Sequence, residues 1–114
     1  MTSLVVRKDI DMVTTEQINE VVYRVVENYH PEKIILFGSY AYGIPTEESD
    51  LDLLIIKSSA LPRHHRGAEV RKYLRGMKLA VDIVVYTNEE VQRWKGVRPA
   101  FITTVMEKGK VLYG

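Results

Sequence analysis

Apolar positions along the chain follow two different periods, and their alternation outlines the fold. Between positions 18 and 29 the apolar residues recur every three or four positions, which is typical of an amphipathic helix. Thr14 is followed three residues later by Gln17, which matches a capping box, so we expect this helix to begin after Thr14. His30-Pro31 predicts its end, because proline disfavours helical geometry at the residue before it.

Three short apolar runs predict strands that are buried on both faces. They are Lys33–Phe37, Asp50–Ile56 and Ala80–Tyr86. A polar, turn-rich stretch over residues 43–49 separates the first two runs, and a basic segment of predicted helical character, residues 63–78, separates the second from the third. Residues 111–113 predict a small final strand, whereas residues 1–13 fit either an edge strand or an N-terminal tail.

Two further helices are predicted near the C-terminus. Thr87 and Glu90 repeat the capping-box spacing, so we expect a short helix after Thr87 that Gly96 ends. Pro99 suits the first position of the next helix, and Gly109 suits its end. On that helix the spacing predicts one shared apolar face, formed by Phe101, Thr104 and Val105. Strands that alternate with helices favour an α/β or α+β fold, with helices covering a small sheet in a single domain over residues 1–114.

Composition excludes several classes of protein. Hydrophobic residues make up 46% of the chain and charged residues 27%, which is typical of a globular domain. A net charge of +1 gives no overall field towards nucleic acid or an anionic membrane, so an anionic ligand must be held locally. The absence of cysteine excludes disulfides and thiolate metal sites. The apolar runs are too short to cross a bilayer and the N-terminus does not resemble a signal peptide, so we expect a cytoplasmic protein.

Three carboxylates interrupt the apolar strands. Asp50 and Asp52 open the second predicted strand, and side chains two apart on a strand project from the same face. Mutual repulsion and burial raise the cost of ionising such a pair, which a divalent cation would offset. Asp82 interrupts the third strand in the same way and would complete a cluster of three if the two strands are neighbours. Oxygen ligands favour Mg²⁺ or Mn²⁺ over zinc. The alternative to a metal site is that each aspartate is a cap or a solvated edge residue.

Gly38-Ser39 directly follows the first buried strand, and residues 40–42 fit one helical turn that Gly43 closes. A junction of this kind aims free backbone amides at an anion, and glycine permits the close approach of a phosphate. The Ser39 hydroxyl can add a further donor. Ten residues separate Ser39 from Asp50, which is enough for the turn and a returning loop. The sequence therefore predicts a phosphate-binding turn beside the carboxylate pair, as a metal–triphosphate substrate requires.

These residues match a known signature. Gly38-Ser39, ten intervening residues and then Asp50-Leu51-Asp52 resemble the GSx10DxD motif of nucleotidyltransferases in the DNA polymerase beta superfamily. The short chain is similar to the minimal nucleotidyltransferase (MNT) group, and the resemblance covers roughly residues 14–113. It implies a small mixed sheet flanked by helices that binds ATP and Mg²⁺ at the Gly-Ser end.

The resemblance also implies a role for each site residue. Asp50 and Asp52 would hold two metal ions, and Asp82 would join the ion that activates the attacking hydroxyl. Gly38 and Ser39 would contact the phosphates. The implied reaction is an in-line attack on the α-phosphorus with pyrophosphate as the leaving group, in which no protein nucleophile takes part.

Family members of this size are commonly paired with a HEPN-domain toxin, to which the MNT antitoxin attaches AMP at a tyrosine. We therefore expect an adenylyltransferase. Because little of the chain remains for an acceptor-binding domain, we expect that a partner protein supplies the acceptor or that a self-dimer shapes the acceptor pocket. Two alternatives stay open. One is a non-catalytic nucleotide-binding antitoxin that acts by occlusion, and the other is an enzyme that acts on RNA ends or small molecules.

Other features favour structural interpretations. The basic segment over residues 63–78 could clamp a triphosphate or bind an acidic partner, but a solvated helix face is the simpler interpretation. His64-His65 is a poor metal pair, because adjacent helical side chains point in different directions. For Tyr40 and Tyr42 we favour structural packing, with stacking on a base or covalent modification as alternatives. For Trp94 we favour a core or interface position.

Overall fold

The computed structural model describes residues 12–97 and 100–114. In this part of the chain the helices are α1 (Thr15–Tyr29), α2 (Ser39–Tyr42), α3 (Arg63–Arg71), α4 (Asn88–Trp94) and α5 (Phe101–Lys108), and the strands are β1 (Lys33–Phe37), β2 (Leu51–Ile56), β3 (Val81–Tyr86) and β4 (Lys110–Tyr113). A 3₁₀ turn, Lys72–Leu74, follows α3 directly. The N-terminal segment up to residue 11 and the predicted helix start at Pro99 lie outside the described residues.

The four strands form one mixed sheet in the order β3-β2-β1-β4. β1 is antiparallel to both β2 and β4, whereas β2 and β3 are parallel. The parallel pair is joined through α3, as expected for strands that a hairpin cannot connect. The prediction of a small mixed sheet flanked by helices is therefore confirmed.

Local side-chain hydrogen bonds fix where two helices begin. The Thr14 hydroxyl accepts from the Gln17 amide at 3.1 Å, and the Gln17 side chain accepts from the Thr14 amide at 2.9 Å. Thr87 and Glu90 exchange the equivalent bonds at the start of α4, at 3.2 and 2.9 Å. Both capping boxes satisfy amides that lack a partner within the helix, so both sequence predictions are confirmed.

The sheet separates two apolar layers. On one face α1 and α3 pack on the sheet through Val21, Val25 and Val70. On the other face α4 and α5 pack through Val91, Ile102 and Val105. β2 lies between both layers, and five of its six residues are buried. No helix in the described ranges is long and apolar enough to cross a membrane.

The predicted apolar face of α5 is wrong. Phe101 is 43% exposed and Thr104 is exposed, whereas Ile102, Thr103 and Val105 are buried. The Thr103 hydroxyl donates to the Trp94 and Val97 carbonyl oxygens, at 3.2 and 2.8 Å. These bonds satisfy the Thr103 hydroxyl, so this polar side chain can be buried in the core. The prediction was based on the spacing of apolar residues and therefore did not include it.

Several predicted boundaries also shift. Asp50 and Ala80 lie just outside the strands that they were predicted to begin, because β2 starts at Leu51 and β3 at Val81. The basic helix ends at Arg71 and its 3₁₀ extension at Leu74, earlier than the predicted residue 78. Asp50 therefore approaches the sheet from a loop, while the other two aspartates are strand residues.

Candidate active site

The candidate site lies at the end of the sheet where β1 finishes and β2 and β3 begin. In the parallel pairing Asp52 is directly opposite Asp82, and in the antiparallel pairing it is opposite Phe37. Side chains that are in register on neighbouring strands project from the same face, about 4.8 Å apart along the hydrogen-bonding direction. The predicted condition for a three-carboxylate cluster, that the second and third strands are neighbours, is thus met.

Asp50 completes the group from the loop before β2. The amide of the next residue, Leu51, donates to the Ala80 carbonyl oxygen at 2.9 Å, which fixes the loop against the start of β3. Burial raises the pKa of Asp52 above its usual value, and the negative charges of Asp82 and then Asp50 raise it further. Asp52 therefore lies in the electrostatic range of both other carboxylates.

Glycine is required at position 38 for two physical reasons. Gly38 has φ 74° and ψ −155°, a backbone conformation that is essentially restricted to glycine. A Cβ atom at this position would also overlap Oδ2 of Asp52. The backbone thus approaches the carboxylate more closely than any other residue would allow.

The turn that follows Gly38 is the predicted α2. The amides of Ala41 and Tyr42 both donate to the Gly38 carbonyl oxygen at 3.0 Å, and the Gly43 amide donates to the Ser39 carbonyl oxygen at 3.2 Å. The first two amides, those of Ser39 and Tyr40, have no acceptor within such a turn. These two donors directly follow Gly38, whose backbone lies against the Asp52 carboxylate. This is the position that the predicted phosphate-binding turn requires.

The three carboxylates suit a hard divalent cation by their chemistry. Within the described residues no group of three or more His, Cys, Asp or Glu side chains is placed so that it could hold a metal ion as it stands. Oδ1 of Asp82 instead lies 3.9 Å from Nη2 of Arg71, and both side chains are half-exposed. Burial and the charges of Asp82 and Asp50 make the ionised form of Asp52 less favourable. Because all three donors are carboxylate oxygens, a cation such as Mg²⁺ would offset this repulsion.

Comparison with known proteins identifies the family. Residues 18–112 match the family model for a nucleotidyltransferase domain, a span that includes the α2 turn and all three aspartates. The chain belongs to the nucleotidyltransferase domain family.

Named relatives agree with this assignment. Two proteins of Methanocaldococcus jannaschii, MJ0604 and MJ1379, both carry the name "putative protein adenylyltransferase". MJ0604 is 37% identical over 82 residues, which is 72% of this chain and 78% of MJ0604. MJ1379 is 33% identical over 79 residues, which is 64% of this chain and 79% of MJ1379. The crystal structure of a "putative nucleotidyltransferase" from Sulfolobus solfataricus superposes with a TM-score of 0.52 at 28% identity, covering 65% of this chain and 67% of that one. The protein is therefore an enzyme of the nucleotidyltransferase type with the corresponding fold.

The aromatic residues of the α2 turn differ in environment. The Tyr40 hydroxyl accepts from the Val13 amide at 3.0 Å, and the ring packs against the core layer beneath α1. Tyr42 is 45% exposed, so the packing interpretation holds for Tyr40 and not for its neighbour. In this nucleotidyltransferase Tyr40 ties the turn to the entrance of α1, a contact between residues 27 positions apart that no local pattern indicates.

Arg66 is the member of the basic segment that sequence reasoning missed. It is only 6% exposed, and it donates to the carbonyl oxygens of Leu61 and Val85 and to the Glu90 carboxylate, the last at 2.7 Å. Burial alone would raise the pKa of Glu90, but the hydrogen bonds from Arg66 and from the Thr87 amide hold it below its usual value. A solvated face is thus the wrong interpretation for Arg66, which joins α3, β3 and α4. The signal available was Glu90, whose capping role places a carboxylate at the end of β3.

The His64-His65 rings also depart from expectation. Their centroids are 4.2 Å apart in an edge-to-face contact, so the two side chains do not diverge as predicted. Both residues are exposed.

Proposed function

We propose that this nucleotidyltransferase transfers AMP from ATP to a hydroxyl group of a partner protein, and that the reaction depends on Mg²⁺ or, in its place, Mn²⁺. The observation that supports this most is the register of β2 and β3, which sets Asp52 opposite Asp82 beside the Gly38 turn. The names of MJ0604 and MJ1379, which describe protein adenylyltransferases, support a protein acceptor.

In the proposed mechanism Asp50, Asp52 and Asp82 would hold the metal ions. Bound divalent cations lower the pKa of an acceptor hydroxyl and stabilise negative charge on the attacking and leaving oxygens. Burial and the two neighbouring carboxylates make the ionised form of Asp52 less favourable, so a bound cation would stabilise this carboxylate strongly.

In this proposal the backbone of the α2 turn binds the phosphates. Gly38 allows the main chain to lie against the carboxylate group, and the free amides of Ser39 and Tyr40 donate to the phosphate oxygens. The acceptor oxygen forms a bond to the α-phosphorus, the bond between that phosphorus and the oxygen bridging to the β-phosphate breaks, and pyrophosphate and the hydroxyl proton are released. Fixed donors that surround the phosphates cost no reorganisation when the charge develops.

The proposed partner is a HEPN-domain protein, with a tyrosine hydroxyl as the acceptor. This proposal rests on the resemblance of the motif and chain length to the MNT antitoxins, and on the protein acceptor in the names of the two relatives. The pair would then act as a toxin–antitoxin system in which AMP transfer inactivates the toxin.

Transfer of radiolabel tests the proposal. The protein, a candidate HEPN partner, Mg²⁺ and ATP labelled at the α-phosphate should yield a labelled partner, and the double variant Asp50→Asn with Asp52→Asn should yield none. Glu48→Gln is the matched control, because it removes one exposed carboxylate from the same loop and should leave labelling intact.

Two results would contradict this mechanism. Labelling that persists in the double aspartate variant would overturn metal-assisted transfer at this site. Neutralisation of the partner that survives loss of all three aspartates would instead favour the non-catalytic antitoxin that acts by occlusion.

A further inference from the structure

One face of β3 is only partly covered by helices. Along β3 the residues of the other face, Ile83 and Val85, are buried, whereas on this face Asp82 is exposed and Val84 and Tyr86 are partly buried against the apolar layer of α4 and α5. On the neighbouring β2, the residues of that same face beyond Asp52 are fully buried in this layer. A partly exposed strip therefore runs along β3, with a carboxylate at one end and an aromatic ring at the other.

The aromatic end of the strip borders a recess of about 220 Å³. It is lined by Arg63, Tyr86, Trp94, Ala100, Phe101 and Ile102. Trp94 and Phe101 are 44% and 43% exposed, which is high for large apolar side chains on a small enzyme. The Arg63 guanidinium lies over the Tyr86 ring, 4.6 Å from its centre, so a cation covers one face of this aromatic wall.

Packed side chains connect the recess to the carboxylate site. Phe101 packs edge-to-face on Phe37, with ring centroids 5.2 Å apart, and Phe37 is in register with Asp52. The same Phe101 ring lies 6.3 Å from Tyr86. Tyr86 is four residues beyond Asp82 on one strand face, a span of about 13 Å, with the partly buried Val84 between them.

We propose that this recess binds the base of the nucleotide substrate, with the ribose lying over Val84. This inference rests on the proposed nucleotide transfer and adds the part of the molecule that recognises the nucleoside. In this arrangement the α-phosphate lies at the carboxylates and the base lies among the aromatic side chains at the other end of the strip.

The chemistry of the walls fits a base better than other groups. Every base presents a flat π-face, and stacking on aromatic side chains supplies affinity without demanding a particular hydrogen-bonding edge. A volume of about 220 Å³ suits one ring system and is small for a whole drug-sized ligand. Arg63 adds a positive charge close to the path of an anionic nucleotide.

Trp94 gives a direct test, because the chain contains a single tryptophan. We expect the emission of Trp94 to change when the full-length protein is titrated with ATP or with AMP. Inorganic tripolyphosphate, which has the phosphates but no base, should bind without changing the emission.

A substitution at Phe101 separates base stacking from phosphate binding. Phe101→Leu keeps an apolar contact with Phe37 but removes the aromatic face, so we expect the affinity for ATP to fall about tenfold, as for the loss of one base–aromatic stacking contact. The affinity for tripolyphosphate, measured by calorimetry, should be unchanged. Tyr23→Leu is the matched control, because Tyr23 is a 62% exposed aromatic residue on α1, which packs on the other face of the sheet.

The outcomes distinguish this inference from the proposed function. The recess is not the base site if AMP leaves Trp94 emission unchanged, if Phe101→Leu weakens tripolyphosphate binding equally, or if only the acceptor protein alters the emission. Transfer that still depends on Asp50 and Asp52 would then leave the proposed function standing. Labelling by the double aspartate variant would overturn the proposed function, whatever Trp94 reports.

Discussion

Asp52 shows at the scale of one residue how a candidate active site opposes stability. Its carboxylate is partly buried on β2, faces Asp82 across the strand pair and lies near Asp50. Each of these features raises its pKa, so the ionised form is less favourable in the folded protein than in the unfolded chain. Active sites commonly retain such a cost because function requires it.

We expect Asp52→Asn to raise the melting temperature at neutral pH in the presence of EDTA, while it abolishes AMP transfer. Because the pKa of Asp52 is higher in the folded state, the wild type gains stability as pH falls through that pKa, and the gain is complete below the unfolded value. This gain should be missing in the variant. Melting curves at neutral and acidic pH measure it, and a lower melting temperature at neutral pH would contradict the account.

Gly38 leads to a second prediction for a single residue. Gly38→Ala should destabilise the fold by about 1–3 kcal/mol from the backbone conformation alone, and the added Cβ should also displace the Asp52 carboxylate and stop transfer. Gly76→Ala is the control, since Gly76 also has a positive φ, of 89°, but no atom within 4 Å of an added Cβ. Chemical denaturation and the labelling assay separate the effects, and equal activities of the two variants would refute the clash.

At the scale of elements, α3 and α4 are joined to β3 by one buried arginine. Arg66 binds the β3 carbonyl oxygen of Val85 and the capping carboxylate Glu90 at the start of α4. The Glu90 carboxylate thereby satisfies the first turn of its own helix and the guanidinium at once.

We expect Arg66→Ala to cost about 2–3 kcal/mol, because it leaves Glu90 and two carbonyl oxygens without their charged donor. Since the pKa of Glu90 is depressed in the folded state, its stabilisation is full above the unfolded pKa and is lost as pH falls through the folded value. In the variant this acid-dependent loss should be smaller, because only the Thr87 amide would still lower the pKa of Glu90.

Arg24→Ala is the control for this prediction. It breaks the exposed Arg24–Glu20 pair on α1, a type of contact worth about 0.3–0.5 kcal/mol, and an exposed hydrogen bond to the Arg75 carbonyl oxygen. Urea denaturation of both variants at neutral and acidic pH gives the comparison. Similar losses of stability for the two would show that burial does not strengthen the Arg66 contact.

At the scale of the whole molecule, stability should decrease from the centre of the sheet to its edge. β2 has a strand on each side and a helical layer on each face, whereas β4 has four residues, of which three are exposed. We expect the amide hydrogens of residues 53–55 to exchange with solvent more slowly than those of β4, because local opening releases the edge strand first. Hydrogen exchange followed by NMR measures this order, and equal protection of β4 would contradict it.

The sequence alone determined the elements and the identity of the candidate chemistry. Capping boxes, the His30-Pro31 stop and the apolar runs act over a few neighbouring residues, and such local signals are complete in the sequence. The spacing of Gly38-Ser39 and the aspartates likewise indicates the family by itself. The strand boundaries are not local in this sense: β2 and β3 begin one residue after Asp50 and Ala80, because strand ends depend on pairing with another strand.

Only the tertiary structure decided which residues face one another. The register of Asp52 with Asp82, the Tyr40 contact with Val13 and the burial of Arg66 each join positions far apart in the chain. The partly exposed strip on β3 exists because α4 and α5 bury the facing residues of β2 completely and those of the neighbouring strand only in part. Such arrangements arise from the packing of several elements at once, so no window of sequence contains them.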